Sequence, residues 1–158
     1  MNLNNILLTK EGYEDLQKEL EILKSETLPH IVSELQEARS MGDLSENGMY
    51  TAMREKQSLA QGRIYELEDI LKRATIADNN KNYKGKKVVD LGSKVVLESS
   101  KHTVEYSIVG VEEVDMNAGK ISHQSPIGQA LMGKESGEEI EVNVPIGKLK
   151  YKIIDIKW

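Results

Sequence analysis

The sequence predicts an α+β protein in two parts: an N-terminal antiparallel α-helical coiled-coil hairpin, and a small C-terminal antiparallel β domain with one short helix. Two long stretches with apolar residues at helical spacing flank a short polar segment, 41–48. Past residue 88 the apolar period changes to the two-residue alternation of strands. We therefore assign residues 1–77 to the hairpin, 78–87 to a linker and 88–158 to the β domain.

Composition excludes several classes of function. The chain contains no cysteine, which rules out disulfides and thiolate metal sites. It has no apolar run of membrane-spanning length, so we expect a soluble cytoplasmic protein without membrane contact. Residues 1–78 carry 9 basic and 15 acidic side chains, whereas residues 79–158 carry 12 and 11. General adhesion to nucleic acid needs clustered cations, so any such contact must be local or shared with a partner.

The first helix is predicted to begin near Lys10, with Thr9 as its N-cap. Its apolar stripe changes phase by one position between Leu23 and Leu28, next to Pro29, which lacks a backbone donor. We therefore predict a kink at Pro29 rather than a break. The stripe consists of Tyr13, Leu16, Leu20, Leu23, Leu28, Ile31, Leu35 and Ala38.

The second helix carries a strict three-four alternation of apolar residues, which is typical of a seam packed against another helix. Core packing explains this seam but not its length. Helices of about 30 residues reach roughly 45 Å, and a hairpin of that length exposes most of its surface. We therefore interpret the hairpin as a projecting arm rather than as a globular core. The seam consists of Tyr50, Met53, Gln57, Ala60, Ile64, Leu67, Leu71 and Ala74.

Four short runs rich in β-branched residues predict the strands of the C-terminal part. A single helical turn interrupts them: Ser125 caps it, Pro126 takes its first position and Gly133 ends it. The sheet is expected to curl around this helix, and residues 145–147 are expected to form a hairpin turn. The four runs are residues 95–97, 104–111, 140–144 and 149–156.

The polar segment between the helices carries two carboxylates, Asp43 and Glu46, which nothing nearby in the sequence can bury or neutralise. Carboxylate oxygens suit Mg²⁺, but this ion requires near-octahedral ligation and gives up water reluctantly, so the pair is an incomplete metal site. The same Asp-x-x-Glu spacing is also that of a capping box, in which Asp43 accepts backbone N–H groups and Glu46 reaches back. The residues alone leave both interpretations open.

Several blocks of residues occur in an order and spacing that chance explains poorly: 8–13, 37–39, 42–47, 62–64, 125–127 and 133–134. In these blocks the chain resembles the bacterial transcript cleavage factors of the GreA/GreB family. The resemblance implies a coiled coil that enters the secondary channel of bacterial RNA polymerase, and an FKBP-like domain that docks on the channel rim. It also implies that the protein is not an enzyme but activates the polymerase's own cleavage of backtracked RNA near the 3′ end.

The resemblance further implies roles for the tip residues. Asp43 and Glu46 would be donated to the polymerase active site as its catalytic acids, where they help hold a Mg²⁺ ion that the free protein does not bind tightly. We give Asp43 the direct or water-mediated metal contact. Glu46 makes a second contact or orients the attacking water, and the sequence does not separate these roles. Ser45, Asn47 and Tyr50 support the tip, although core packing also explains Tyr50.

Met49 departs from the family pattern, in which a further acidic residue usually occupies this place. Two acids remain where three are common. This keeps open a second interpretation, a regulator that occupies the channel and inhibits the polymerase with weak or no cleavage. An FKBP-like fold also suggests a prolyl isomerase, but fold does not imply function, and the scarcity of aromatic residues provides little material for a proline pocket.

Basic residues close to the tip are candidates for contact with the RNA 3′ end. By resemblance Arg39 and Arg54 fall in a small RNA-contacting patch, and Lys56 joins them only by proximity in sequence. Such charges are commonly solvated or paired with a neighbour, so this interpretation also stays open.

The segment Ser125, Pro126 and Ile127 matches the part of the family that lies near the polymerase-docking surface. A helix cap that covers the sheet explains Ser125 equally well. We expect the protein to act as a monomer.

Overall fold

The structure is a computed structural model that describes residues 5–42, 47–77 and 85–158. The described residues form two compact units, one within Tyr13–Ala74 and the other within Met1–Gly12 and Thr75–Trp158. The predicted α+β class is confirmed, because the first unit is a helical hairpin and the second is a curled sheet with a short helix. The sequence-based boundaries instead placed all of residues 1–77 in the hairpin, and most of the predicted linker lies outside the described residues.

The first arm of the hairpin is one continuous helical path that changes type in its middle. Helix α1 (Lys10–Ile22) passes through a π-helical segment (Leu23–Thr27) into α2 (Leu28–Ser40). The N–H of Leu28 donates to the carbonyl of Leu23, five residues earlier. This wider turn takes up one extra residue, which accounts for the one-position phase change of the apolar stripe. The path continues through Pro29 without a break, as predicted.

The second arm is a single helix, α3 (Gly48–Arg73). Half of the predicted seam positions are buried, and Tyr50, Gln57 and Leu71 are half-buried. Ile70 is also buried, although the heptad pattern did not include it. The buried seam positions are Met53, Ala60, Ile64 and Leu67.

Ion pairs connect the two arms at a distance from the tip. Arg63 donates to both carboxylate oxygens of Glu19, at 2.7 and 3.0 Å, and to Glu66 at 2.8 Å. These bonds, the one to Glu19 above all, hold the pKa of Arg63 above its ordinary value. Lys24 also pairs across the hairpin, through one carboxylate oxygen of Glu68. Bidentate pairing fixes the mutual position of the arms better than a point contact does.

The C-terminal sheet has five strands in the order β5-β4-β3-β7-β6. The pairs β3–β4, β3–β7 and β6–β7 are antiparallel, whereas β4 and β5 are parallel. This corrects the prediction of a wholly antiparallel sheet: residues 110–119 loop back, so that β5 enters beside the end of β4 in the same direction. The elements are β3 (Lys94–Glu98), β4 (Thr103–Val109), β5 (Lys120–Ser122), α4 (Pro126–Leu131), β6 (Glu139–Val144) and β7 (Gly147–Lys157).

The short helix α4 completes the core of this sheet. Its Leu131 is fully buried, and Ile127 and Ala130 pack against the same apolar cluster. Its ends are as predicted: Gly128 N–H donates to Ser125 Oγ at 3.0 Å, and Gly133 has a positive φ of 77°. Burial of large aliphatic side chains from both helix and strands stabilises the unit. The core strand residues are Val95, Leu97, Ile108, Ile121, Ile140, Val142, Tyr151, Ile153 and Ile156.

The N-terminal residues belong to the same unit as this sheet. Strand β1 (Ile6–Leu8) pairs with β2 (Ala74–Ile76), and Leu8 is fully buried. The carboxylate of Glu113 accepts the N–H of Thr9 at 2.8 Å and the hydroxyl of Thr9, while Thr9 Oγ1 caps α1 through the N–H of Gly12 at 3.0 Å. The cap satisfies one orphan N–H of α1, that of Gly12. The two bonds from Thr9 to Glu113 tie the start of the helix to this unit.

Candidate functional site

The tip of the hairpin is the connection between α2 and α3. Helix α2 ends at Ser40, and Gly42 then adopts a φ of +133°, a conformation that residues with side chains rarely adopt. Helix α3 begins at Gly48. The predicted acids Asp43 and Glu46, with Ser45, lie outside the described residues, so the site is built from its two flanks.

Asn47 joins these flanks through both ends of its side-chain amide. It is the N-cap of α3, where its Oδ1 accepts the N–H of Tyr50 at 3.1 Å. Its Nδ2 donates to the carbonyl of Ala38, in the last turn of α2, at 2.6 Å. One side chain thus satisfies an orphan N–H of α3 and gives the Ala38 carbonyl of α2 a second donor beside the N–H of Met41, which lies at 3.2 Å. The two ends of the acid-bearing segment are therefore held at a fixed separation.

The capping-box interpretation of Asp43 and Glu46 is wrong for α3. The N-cap is Asn47, with β-region φ and ψ of −85° and 93°, and the helix starts one residue later. A capping box led by Asp43 would have to start the helix about four residues earlier. The two acids are therefore not needed to cap the helix that follows them.

The basic residues near the tip divide between two sides of the hairpin. Arg39 Nη2 lies 3.5 Å from the hydroxyl of Tyr50, and the guanidinium lies over the Tyr50 ring at 5.9 Å from its centroid. Arg54, four residues after Tyr50, is on the same face of α3 and donates to Gln57 at 2.9 Å. Lys56 is two residues further on, about 200° around the helix axis. The structure therefore brings Arg39, Tyr50 and Arg54 to one face and leaves Lys56 on another.

These cations differ from those nearer the base of the hairpin. Arg39, Arg54 and Lys56 are exposed, and no carboxylate within the described ranges lies at ion-pair distance from any of them. Arg63 and Lys24 are paired with acids across the arms. The described part of the tip thus offers positive charge to an external partner, whereas the charges of Arg63 and Lys24 are matched by acids.

Metal binding by the chain alone has little support outside the tip segment. Among the residues that the structure describes, no group of three or more His, Asp or Glu is arranged to hold an ion. The donor set of Asp43 and Glu46 consists of hard oxygens that fit Mg²⁺, but it fills only part of an octahedral shell. Any ion held there needs further ligands from another molecule.

The predicted docking segment is partly occupied by structural roles. Ser125 caps α4 and donates its hydroxyl to the carbonyl of Ser122 at 2.7 Å, and Ile127 is half-buried against the core. Pro126 is exposed at the first helical position. Gly128 allows α4 to approach the backbone of Ser122 more closely than a side chain would permit. Pro126 is thus the residue of this segment whose side chain is exposed and available for contact with a partner.

Replacing Asn47 by alanine is expected to loosen the tip. The variant loses the cap of α3 and leaves the Ala38 carbonyl without the amide donor, at a cost of about 1 kcal/mol or more. Amide hydrogen exchange at Tyr50 and Thr51 should accelerate about fivefold. Asn47→Asp is the matched control, because a carboxylate still accepts the Tyr50 N–H but cannot donate to Ala38. Unchanged exchange in the alanine variant would show that Asn47 does not fasten the tip.

Comparison with known proteins gives the same division of the chain. The family model described as the N-terminal part of transcription elongation factors matches residues 6–76, and the model of the GreA/GreB C-terminal part matches residues 84–158. The chain is therefore a transcription elongation factor. Within that class it belongs to the GreA/GreB family.

Individual relatives extend over nearly the full length. Transcription elongation factor GreA of Mesorhizobium japonicum is 44% identical over 158 residues, 99% of each chain. The protein of the same name from Trichlorobacter lovleyi is 45% identical over 157 residues, 98% of each. Among solved structures, GreA factor homolog 1 of Thermus thermophilus is 32% identical, with 98% of this chain and 99% of that chain covered and a TM-score of 0.45.

None of the helices that the structure describes is both long and apolar enough to cross a membrane.

Proposed function

We propose that the chain inserts its helical hairpin into the secondary channel of RNA polymerase and stimulates endonucleolytic cleavage of backtracked RNA. The observation that carries the proposal is the tip: Asn47 fastens the last turn of α2 to the first turn of α3, immediately next to the acid-bearing residues. An arm delivers functional groups usefully only if its end is held rigidly. Family membership supplies the partner class.

The two acids of the tip carry the chemistry in this proposal. The N-cap of α3 is Asn47, so this helix does not require either acid at that position. Asp43 and Glu46 supply part of a Mg²⁺ shell that carboxylates and RNA phosphates in the polymerase complete. When bound there, Mg²⁺ stabilises the charge on the attacking and leaving oxygens of the phosphodiester. The chain itself contributes ligands and their placement, and the nuclease activity belongs to the polymerase.

The basic face of the tip supports a contact with the transcript. Arg39 is held by Tyr50, at 3.5 Å from its hydroxyl, and Arg54 lies one turn away. Guanidinium groups bind phosphate oxygens in a bidentate way, so these two residues would hold the RNA 3′ end beside the acids. Lys56, on another side of α3, would contribute at most a long-range field. Ser125, Pro126 and Ile127 remain the proposed docking segment at the channel rim, with Pro126 as the exposed contact.

A cleavage assay with purified backtracked polymerase complexes tests this function. Adding the full chain with Mg²⁺ should shorten 3′-labelled or 5′-labelled RNA within minutes and release short 3′ fragments. Inhibition of nucleotide addition without shortening would overturn the proposal in favour of a channel-occupying regulator. Met49, 41% exposed at the start of α3 where the family usually has an acid, makes that outcome worth measuring. A peptide isomerisation assay with the same preparation tests the third interpretation, and we expect no activity.

A further inference from the structure

Strand β7 lies inside the C-terminal sheet, but part of one of its edges has no partner strand among the described residues. Strand β3 pairs with β7 only from Lys152 to Lys157, because β3 ends at Glu98 and turns away into β4. The preceding residues of β7, Gly147 to Tyr151, pair with β6 alone among the described strands. The β3–β4 turn closes on itself, with Ser99 N–H donating to the carbonyl of His102 at 2.9 Å. One side of β7 therefore faces a notch instead of a strand.

This notch is a cavity of about 470 Å³ between the β3–β4 turn and the first half of β7. Its basic residues are Lys101 on the turn and Lys148 and Lys150 on β7. The rest of the lining consists of Ser99, Ser100, His102, Leu149 and Tyr151. Lys148 and Lys150 share one carboxylate, that of Glu141, at 3.1 and 3.9 Å. Within the described ranges Lys101 has no acid at ion-pair distance. The notch therefore keeps an excess of positive charge.

We propose that this notch binds an extended acidic segment of a partner protein, which adds to the open edge of β7 as a short strand. An unpaired strand edge offers main-chain donors and acceptors in a row, and peptides bind such edges by strand addition. Lysines at an edge discourage neutral or basic strands from pairing. A segment with acidic residues on alternate positions meets Lys148 and Lys150 on one face and places its apolar residues over Leu149.

A peptide fits the notch better than RNA does. Tyr151 in the lining is 8% exposed, so it offers little surface for base stacking, which leaves the exposed His102 on the turn as the ring of the lining that a base could reach. The adjoining depression of about 670 Å³ has Glu98, Glu139 and Glu141 in its lining, together with Lys150 and Lys152. A phosphate backbone that continued beyond the notch would meet these carboxylates, whereas a peptide of a few residues stays within the basic part.

Titration of the isotope-labelled full chain with synthetic peptides, followed by NMR, tests the proposal. The probe is an eight-residue, end-capped peptide of alternating Glu and Val, compared with one of alternating Lys and Val. The acidic peptide should shift the amide signals of Ser99 to His102 and Lys148 to Tyr151 and slow hydrogen exchange in β7, and the basic peptide should do neither. Methylation of alternate peptide nitrogens in the acidic probe should abolish binding, because strand addition needs its N–H groups.

The control variants lie on one strand. Lys148→Glu should lower the affinity of the chain for the acidic peptide about fivefold. Lys157→Glu, an exposed lysine of β7 that pairs with Glu105 at 3.4 Å outside the notch, should leave binding unchanged. The proposal is overturned if the methylated peptide binds as well as the parent, if the shifts fall elsewhere, or if a single-stranded RNA oligonucleotide shifts the same amides at lower concentration.

Discussion

Replacing Asp43 by alanine is expected to reduce stimulated RNA cleavage about a hundredfold while binding to RNA polymerase is retained. Loss of one carboxylate removes a ligand from a metal shell that two side chains already fill incompletely, and even the outer partners of metal ligands are worth up to about a hundredfold. Affinity should survive, because the proposed docking segment lies in the other unit, at Ser125 to Ile127. The measurement is a single-turnover cleavage rate at saturating factor, with binding followed separately by competition.

The control for this variant is Glu55→Ala, which removes an exposed acid of α3 two turns from the helix start. It changes the net charge of the hairpin by the same amount as the Asp43 variant, so a general electrostatic effect would appear in both. Cleavage should respond to higher Mg²⁺ in the Asp43 variant and stay normal in the control. Equal cleavage by the wild type and the Asp43 variant would refute the assigned role of this acid.

Much of the fold follows from local periodicity. The three-four spacing of apolar residues located both arms of the hairpin, and the one-position phase change next to Pro29 corresponds to a real change in helix type, the π-helical segment. The β-branched runs located four strands of the sheet. Strands β1, β2 and β5 escaped prediction because each has three residues, too few to show an alternating pattern.

Long-range contacts account for what the sequence could not predict. The bonds from Thr9 to Glu113 join residues 104 positions apart, and no local pattern marks either as a partner of the other. The notch beside β7 depends on where β3 ends, which is a matter of register. The N-cap role of Asn47 could in principle have been predicted from the sequence, since Asn is a strong N-cap residue. The neighbouring Asp-x-x-Glu spacing competed with it, and only the observed helix start distinguishes the two.

Replacing Leu131 by alanine is expected to destabilise the C-terminal unit by about 2–5 kcal/mol. The side chain is fully buried and is the main anchor of α4 on the sheet, so its removal leaves a cavity that strands on the other side of the core cannot fill. Trp158, the only tryptophan of the chain, belongs to this unit. The denaturant midpoint followed by its fluorescence should therefore fall, while helical circular dichroism from the hairpin changes little.

Gln129→Ala is the control, because Gln129 is exposed on the same helix and should change stability by no more than about 0.5 kcal/mol. A small loss of stability in the Leu131 variant would mean that α4 is not anchored through this side chain.

The Leu131 variant also bears on docking to the polymerase. Pro126 is the first residue of α4, the helix that Leu131 anchors to the sheet. The Leu131 variant should therefore bind polymerase more weakly even under conditions where the sheet remains folded. The Asp43 variant shows the opposite pattern, with binding kept and cleavage lost, so the two substitutions separate attachment to the polymerase from the chemistry at the tip.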